Sequence, residues 1–312
     1  MSNFRLRKRA RREIHLGDLV FSYFLRALSF GLALLLAVIG FFLFRGAFAS
    51  ISRYGWSFVT ESVWDPVQEV FGSAPVLYGT LVSSLIAVSI AAPLSVAIAL
   101  FLNEVVPPKI GKTIGFLVEM LAAIPSVVYG LWGIFVLAPW LRTRIEPILA
   151  QDLGWIPIFS GPYYGVGMLA AGLILSIMII PTVFSISREI FKTIPTAQRE
   201  AALALGATRW EMMKISILGS SKSGIGGAII LGLGRALGET MAVTMVIGNR
   251  AEISASLLAP AQTMASVIAN EYAEATSDIH LSALIEIGFL LFVVTFIINA
   301  FARLFILRET KS

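Results

Sequence analysis

Six long apolar stretches dominate this sequence and restrict what it can fold into. Each is about as long as the roughly 20 apolar residues that a helix needs to cross a bilayer. They lie at about residues 20–44, 75–102, 112–139, 164–187, 223–248 and 281–306. Because a helix satisfies its own backbone hydrogen bonds, it can span lipid. We therefore predict an all-α, polytopic membrane protein with six transmembrane helices.

The composition supports this class and excludes several kinds of site. Only 14% of the residues are charged, whereas a soluble domain has about 25%. The absence of cysteine excludes disulfides, thiolate zinc sites and cysteine nucleophiles. The two histidines, His15 and His280, lie near opposite ends of the chain. We therefore predict no bound metal.

Basic residues predict the orientation of the six helices. The run RLRKRARR at residues 5–12 and the loop at 188–222 would fall on one side of the membrane. Cytoplasmic segments carry an excess of Lys and Arg, so both termini and this loop are predicted to be cytoplasmic. The chain would form a single transmembrane domain, 1–312, with a basic tail at 1–19. That tail would bind anionic lipid; a nucleic-acid arm is the weaker alternative.

The loop at 188–222 is polar and has strong helix signals. Pro195 suits the first turn of a helix, and the following TAQREAALAL consists of good helix formers. Gly206 can take the positive φ that ends a helix. Thr208 and Glu211 have the spacing of a capping box. The predicted unit is a helix, a glycine turn and a second helix.

This helical unit offers two kinds of contact surface. Its small face permits close approach of another protein, and methionines offer adaptable apolar contact. The small residues are Ala201, Ala202 and Ala204, and the methionines are Met212 and Met213. A hairpin that merely joins two membrane helices is the alternative.

Four ionisable residues fall inside the predicted transmembrane helices: Glu119, Arg235, Glu239 and Glu286. A charge at the bilayer centre costs about 2.5–3.5 kcal/mol on insertion scales, so such residues usually face the bundle interior and have partners. Glu119 and Glu286 could accept hydrogen bonds from Ser or Thr on neighbouring helices. We predict packing or gating roles for these two.

Arg235 and Glu239 are four residues apart and would share one helical face. Gly234 and Gly238 have a GxxxG spacing, which lets a second helix approach. The pair could be structural, fixing how the helices pack. Alternatively, Arg235 could hold a passing anion while Glu239 neutralises it when the path is empty.

Prolines predict irregularities within the membrane. Pro93, Pro125 and Pro181 each lie in an apolar stretch and should kink or interrupt its helix. Ile124-Pro125-Ser126 is a plausible break, at which freed backbone groups could line a cavity.

Sequence motifs for ATP or nucleophilic chemistry are absent. The sequence contains no GxxxxGK[ST] phosphate loop and no GxSxG elbow. The glycines of LGLGRALGE follow no predicted strand, so they do not form a dinucleotide fingerprint. We predict that the chain is not an enzyme by itself.

The run EAALALGATRWEMMK, starting at Glu200, resembles the EAA motif of ABC-transporter permeases. Glu200, Ala201, Ala202 and Gly206 match that motif. In this family it forms a coupling helix that docks on an ATPase subunit. The usual Ile-x-Leu-Pro ending is replaced here by the run 216–219, in which only Leu218 is retained.

Three further runs resemble the PstC-type permeases of phosphate importers: LYGTLVSSLIA at 77–87, AAIPSVVYGLWG at 122–133 and LGLGRALGETMAVTMVIGN at 231–249. The resemblance implies a type I ABC importer permease in the bacterial inner membrane. It also implies a second permease subunit, two ATPase subunits that bind ATP and Mg²⁺, and an extracytoplasmic phosphate-binding protein. No cofactor bound by this chain is implied. An importer of molybdate or sulfate, an ion-coupled phosphate carrier and an inert membrane scaffold are the alternatives.

Overall fold

The structure is a computed structural model that describes residues 16–309, so the basic run at 5–12 lies outside it. The bundle is helical apart from one small hairpin. Its elements are α1 Leu16–Tyr54, α2 Ser57–Thr60, β1 Trp64–Asp65, β2 Val70–Phe71, α3 Ala74–Glu104, α4 Pro108–Met120, α5 Ser126–Asp152, α6 Met168–Thr193, α7 Thr196–Ala204, α8 Arg209–Leu237, α9 Met241–Val246, α10 Met264–Glu271 and α11 Asp278–Glu309.

Six helices are long and apolar enough to cross a membrane, which confirms the predicted number. They are Leu19–Tyr54, Ala74–Glu104, Ser126–Asp152, Met168–Thr193, Arg209–Leu237 and Asp278–Leu304. We call the end of the bundle that carries α7 the inner end, and the opposite end the outer end. These names follow the orientation predicted from the basic residues.

The third transmembrane helix is displaced from its predicted position. The apolar stretch 112–139 does not form one helix, because the chain is extended at Ile124, with ψ 126°. A proline disfavours the helical conformation of the residue before it, and Pro125 follows directly. The predicted break is confirmed. The third helix, α5, starts at Ser126 and runs to Asp152 through two π-type segments.

The fifth transmembrane helix also differs from its predicted span of 223–248. Helix α8 begins at Arg209 and runs without a break to Leu237. The predicted second helix of the loop is therefore the first part of this helix, since no proline follows Thr208 before Gly238. Gly238 ends α8, and residues beyond it form the separate short helix α9.

Prolines in the second and fourth transmembrane helices do not interrupt them. Pro93 lies inside α3 and Pro181 inside α6, and both helices continue past the proline. The two helices pack along each other. Near the prolines, Ser95 Oγ donates a hydrogen bond of 3.2 Å to the carbonyl of Ile180. Close packing at this interface therefore supports both helices where their own backbone bonding is weakened.

The largest apolar cluster is centred on α6 and contacts α3, α5 and α9. Gly172 of α6 allows a close approach to α3, because a Cβ there would lie 2.5 Å from Cγ2 of Ile86. A second group, which we call the inner apolar cluster, lies at the inner end. Its buried members are Ala99, Leu100, Leu102, Phe184, Phe191, Met212 and Ile217.

An aromatic and polar cluster closes the outer end between α1 and α11. The indole of Trp64 donates to Glu271 Oε2 at 2.9 Å, and His280 Nε2 lies 3.1 Å from the same oxygen. The Phe71 ring stacks on His280 with a centroid separation of 5.2 Å. These contacts attach the hairpin and α10 to the start of α11.

Candidate functional site

Two helix breaks lie side by side in the bundle. One is at Ile124–Pro125, before α5, and the other is at Gly238, before α9. Helices α5 and α9 pack closely, because a Cβ on Gly130 would lie 3.2 Å from the Cα of Ala242. The irregular backbone before both helices therefore lies in one region of the membrane-spanning part, as expected for a path rather than a lipid-facing surface.

Arg235 lies in the last turn of α8, next to these breaks. Its Nη1 atom donates a hydrogen bond of 3.2 Å to Thr182 Oγ1, directly after Pro181 of α6. The next residue in α8 belongs to the same apolar cluster as Tyr129 of α5. The hydroxyl of Tyr129 donates to the carbonyl of Leu121 at 2.9 Å. The half-buried guanidinium thus lies where α6, α8 and the break before α5 meet.

The predicted pairing of Arg235 with Glu239 is wrong. Within residues 16–309, no carboxylate lies within salt-bridge distance, 4.0 Å, of Arg235. Helix α8 ends at Leu237, so Glu239 does not occupy the helical position that its spacing suggests. Instead, Glu239 Oε1 accepts a hydrogen bond of 3.4 Å from the backbone N–H of Ala242 in α9.

The two glycines of the GxxxG spacing beside Arg235, Gly234 and Gly238, have different roles. A Cβ on Gly234 would lie 3.8 Å from the amide of Asn299 in α11, so a second helix does approach there. For Gly238, the nearest atom to such a Cβ is the carbonyl of Gly234 at 3.8 Å. Gly238 therefore ends the helix rather than accommodating another one.

This arrangement suits the transient binding of an oxyanion. A guanidinium has several N–H donors and is always charged, and it binds oxyanions by charge-assisted hydrogen bonds. Only the hydroxyl of Thr182 bonds to the guanidinium of Arg235 among the described side chains. A neutral hydroxyl competes with an anion more weakly than a carboxylate does.

The predicted helix and glycine turn of the inner loop are confirmed. Helix α7 spans Thr196–Ala204, and Gly206 has φ +86°. Pro195 precedes the first turn instead of lying in it, a shift of one residue that falls within the usual uncertainty of helix ends. The backbone N–H of Thr208 donates to Glu211 Oε2 at 2.8 Å, and the N–H of Glu211 donates back to Thr208 Oγ1 at 3.3 Å. This is the predicted capping box.

The exposed face of this loop is more apolar than the small residues alone suggested. Leu205 is 89% exposed and Trp210 is 61% exposed. We call this face the coupling surface. It comprises the exposed residues Glu200, Ala201, Leu203, Ala204, Leu205, Gly206 and Trp210.

The two methionines do not belong to the coupling surface, contrary to our prediction. Met212 is buried in the inner apolar cluster, and Met213 is half-buried against it. Both residues lie in the part of α8 that turns into the bundle. Ala202 is also half-buried on the bundle side of α7. These side chains anchor the loop, while the leucines and Trp210 face outward.

The run 216–219, which departs from the usual motif ending, joins the loop tightly to α8. Ser216 Oγ donates a hydrogen bond of 3.2 Å to the carbonyl of Gln198 in α7. Ile217 is fully buried in the inner apolar cluster. The absence of the usual proline leaves α8 continuous through this region.

Glu119 was predicted to lie in the third transmembrane helix, and that prediction is wrong. It belongs to α4, and its Oε1 atom pairs with Arg188 Nη1 at 3.4 Å. Arg188 is buried, and its Nη2 atom also donates to the carbonyl of Gly111 at 2.9 Å. Glu119 thus helps to attach α4 to α6, so its partner is a guanidinium rather than a Ser or Thr hydroxyl.

Gly115 provides the space in which the Arg188 guanidinium packs. A Cβ at Gly115 would lie 2.1 Å from Arg188 Nη1, so Gly115→Ala must displace the guanidinium from its partners. We expect this substitution to destabilise the protein by about 2 kcal/mol, the cost of losing hydrogen bonds to a buried charge. Thermal unfolding in detergent would show a lower Tm. Gly31→Ala, where a Cβ would have no neighbour within 4 Å, is the matched control; equal Tm values for the two variants would contradict this account.

Glu286 lies on α11 and is 7% exposed. It borders a cavity of about 350 Å³ between α1 and α11. Within the residues that the structure describes, its Oε2 atom has no hydrogen-bond partner. Glu286 is far along the chain from the breaks, and its predicted packing or gating role remains a prediction.

A half-buried ion pair at the inner end was not predicted from the sequence. Arg199 Nη2 of α7 lies 3.0 Å from Glu104 Oε1 at the end of α3. Both residues fall outside the predicted transmembrane helices, in polar connections where solvated charges are ordinary. Their separation in sequence gives no signal of pairing. Only the fold brings them together.

Comparison with known proteins identifies a matching family. Residues 91–311 match the family described as binding-protein-dependent transport system inner membrane component. The chain is 44% identical to the phosphate transport system permease protein PstC of Mesorhizobium japonicum, covering 95% of this chain and 92% of that protein. It is 45% identical to the PstC protein of Haemophilus influenzae, covering 89% of this chain and 90% of the relative.

Two solved structures resemble the fold. A chain of a bacterial ABC transporter that imports the acidic polysaccharide alginate has a TM-score of 0.61 and 17% identity, covering 94% of this chain and 98% of that chain. A chain of the inward-facing MetNI methionine ABC transporter has a TM-score of 0.56 and 15% identity, covering 78% of this chain and 98% of that chain. At these identities the likeness concerns the fold alone.

Proposed function

Because this chain belongs to the family of binding-protein-dependent transport system inner membrane components, and its curated relatives are phosphate transport system permeases, we propose that it forms part of the path for inorganic phosphate. It is a transmembrane permease subunit of an ABC-type phosphate importer, located in the inner membrane. Its fold is that of the type I ABC importer permeases.

The subunit works within a larger assembly. A second permease subunit completes the path, two ATPase subunits bind ATP and Mg²⁺ at the inner end, and a phosphate-binding protein docks at the outer end. ATP hydrolysis takes place in the ATPase subunits, and this chain contributes no cofactor site. The exposed leucines and Trp210 of the coupling surface support an ATPase contact, since an exposed patch of large apolar side chains is typical of a protein–protein interaction site.

The observation that best supports a phosphate path is the half-buried guanidinium of Arg235 beside two helix breaks. It would bind phosphate by charge-assisted hydrogen bonds, with the hydroxyl of Thr182 as a second donor. Glu239 borders the same region. Because it is held by the backbone of α9, it must leave that bond before it can neutralise Arg235.

Motion of the coupling surface drives the path between its two states. When the ATPases close, they push α7 and the start of α8. Since Arg235 lies on α8 and Thr182 on α6, a rigid shift of these helices changes the site. The path then opens outward instead of inward, while the binding protein delivers phosphate from the outer side.

Transport by the complete assembly tests this function. Proteoliposomes that contain both permease subunits, the ATPases and the binding protein should accumulate labelled phosphate only when ATP is supplied. Excess sulfate or molybdate should compete poorly, whereas strong competition by either would favour the importer of another oxyanion. Phosphate movement by this chain alone, without ATP, would instead indicate an ion-coupled carrier. A complete assembly that carries nothing would favour the scaffold.

A further inference from the structure

Helix α7 has little apolar contact with the rest of the bundle. It contains no buried residue, and Ala202 is its one half-buried residue that packs on the inner apolar cluster. The helix also lies between two non-helical joints. Ile194 and Pro195 are extended, with ψ 122° and 140°, and Gly206 has φ +86°. Apolar packing therefore does not fix the orientation of α7, so polar contacts must do so.

Arg199 provides the main polar contact. Its Nη2 atom lies 3.0 Å from Glu104 Oε1, at the last residue of α3, and 2.9 Å from the carbonyl of Phe191, in the last turns of α6. The side chains of Arg199 and Glu104 are only 19% and 10% exposed. One guanidinium therefore joins α7 to the inner ends of two transmembrane helices.

The partners of Arg199 are themselves held in place. Asn103 Nδ2 donates to Glu104 Oε1 at 2.6 Å, and Phe191 is fully buried in the inner apolar cluster. On the other side of α7, Ser216 Oγ donates to the carbonyl of Gln198. Helix α7 is thus attached to α3, α6 and α8. Two of these helices, α6 and α8, carry the Thr182–Arg235 contact.

We propose that the Arg199–Glu104 pair positions α7 so that a push on the coupling surface moves α3 and α6 together with it. The pair is shielded from water, and losing one partner would leave a poorly compensated charge, so it resists separation. Without it, α7 can turn about its two non-helical joints, and the ATPases would move α7 without moving the path. This role rests on the proposed function, in which α7 receives the push.

A nearby ion pair offers a matched control. Lys192 Nζ lies 2.6 Å from Glu189 Oε1 in the last turns of α6, close to Phe191. Its side chains are 45% and 67% exposed, and exposed pairs of this kind contribute little. Glu189→Gln removes the same type of charge from the same end of the bundle, yet it does not detach α7.

The test measures phosphate transported per ATP hydrolysed, in proteoliposomes with the complete assembly. In Glu104→Gln and in Arg199→Gln we expect this ratio to fall about tenfold, while ATPase binding and ATP hydrolysis persist. Glu189→Gln should keep the wild-type ratio. The double variant Glu104→Gln/Arg199→Gln should remain as uncoupled as the single variants, because the ion pair is absent in all three.

The double variant separates positioning from simple stability. If the single variants fail only because an unpaired charge disturbs the fold, removing both charges should restore transport, and that result would overturn the proposal. A wild-type ratio in either single variant would also overturn it. If the unmodified assembly shows no ATP-dependent phosphate uptake, the proposed function fails instead, so the two failures are distinguishable.

Discussion

Arg235→Gln should abolish phosphate uptake while the assembly with the ATPase subunits stays intact. Glutamine keeps a polar group beside Thr182 but removes the permanent charge that would bind phosphate. Loss of a desolvated charge contact costs about 2–5 kcal/mol, so uptake should fall at least about thirtyfold. The measurement is ATP-dependent uptake of labelled phosphate, with co-purification of the ATPase as the test of assembly.

Arg250→Gln is the control for Arg235→Gln. Arg250 follows α9 in the outer connection and pairs with Glu252 at 2.8 Å, with side chains 60% and 57% exposed. Removing this solvated charge should leave uptake close to the wild-type level. Undiminished uptake in Arg235→Gln would remove Arg235 from the path. Equal losses in both variants would point to a general effect of charge.

Leu205→Asp should prevent this subunit from binding its ATPase partner. Leu205 is the most exposed large apolar residue of the coupling surface, at 89%, and in the proposed assembly it becomes buried. A carboxylate at that position loses the apolar contact and buries an unpaired charge. Truncation of an interface anchor alone costs about 2 kcal/mol or more. We therefore expect at least about thirtyfold weaker binding, measured by co-purification and by titration of the ATPase onto the purified permease pair.

Two further variants define the ATPase contact. Val67→Asp is the matched control, because Val67 is a 93% exposed apolar residue at the outer end. It should leave ATPase binding unchanged. Gly206→Val should weaken binding as well, because its φ of +86° strains any residue with a β-branched side chain. Normal binding by Leu205→Asp would show that the ATPase docks elsewhere.

Local signals in the sequence predicted much of the fold. Apolar length was sufficient to give six transmembrane helices, since lipid permits few alternatives for such stretches. The break at Pro125 was also predictable, because a proline restricts the residue before it. The Thr208–Glu211 capping box depends on a spacing of three residues and on nothing distant. Each of these features is determined by neighbours in the sequence.

The candidate path could not be predicted in the same way. The spacing of Arg235 and Glu239 predicts contact only if the helix continues between them, and Gly238 ends it. Glu119 lies in an apolar stretch, yet the break at Pro125 leaves it on the inner side, facing Arg188 from another helix. Hydropathy does not show where the fold divides an apolar stretch into two helices. It also does not show which charged residue from a distant part of the sequence will contact Glu119.

The residues of the coupling surface could also not be identified from the sequence alone. Met212 and Leu205 are both apolar residues in the same polar loop. Residue type therefore does not show which of them packs into the bundle and which faces outward. Met212 follows the capping box and turns into the bundle with α8, whereas Leu205 ends α7 and faces outward. The direction of each side chain depends on how the two helices are joined at Gly206, which is a property of the tertiary structure.

ATP binding to the partner should change which side of the membrane can reach the Arg235 region. The chain has no cysteine, so Glu239→Cys introduces a single thiol in this subunit beside that site. Membrane-impermeant thiol reagents can then be applied to the assembled transporter from either side, with and without trapped nucleotide. We expect labelling from the inner side without nucleotide, and from the outer side when nucleotide is trapped. Labelling from the same side in both states, or from neither side, would contradict the account.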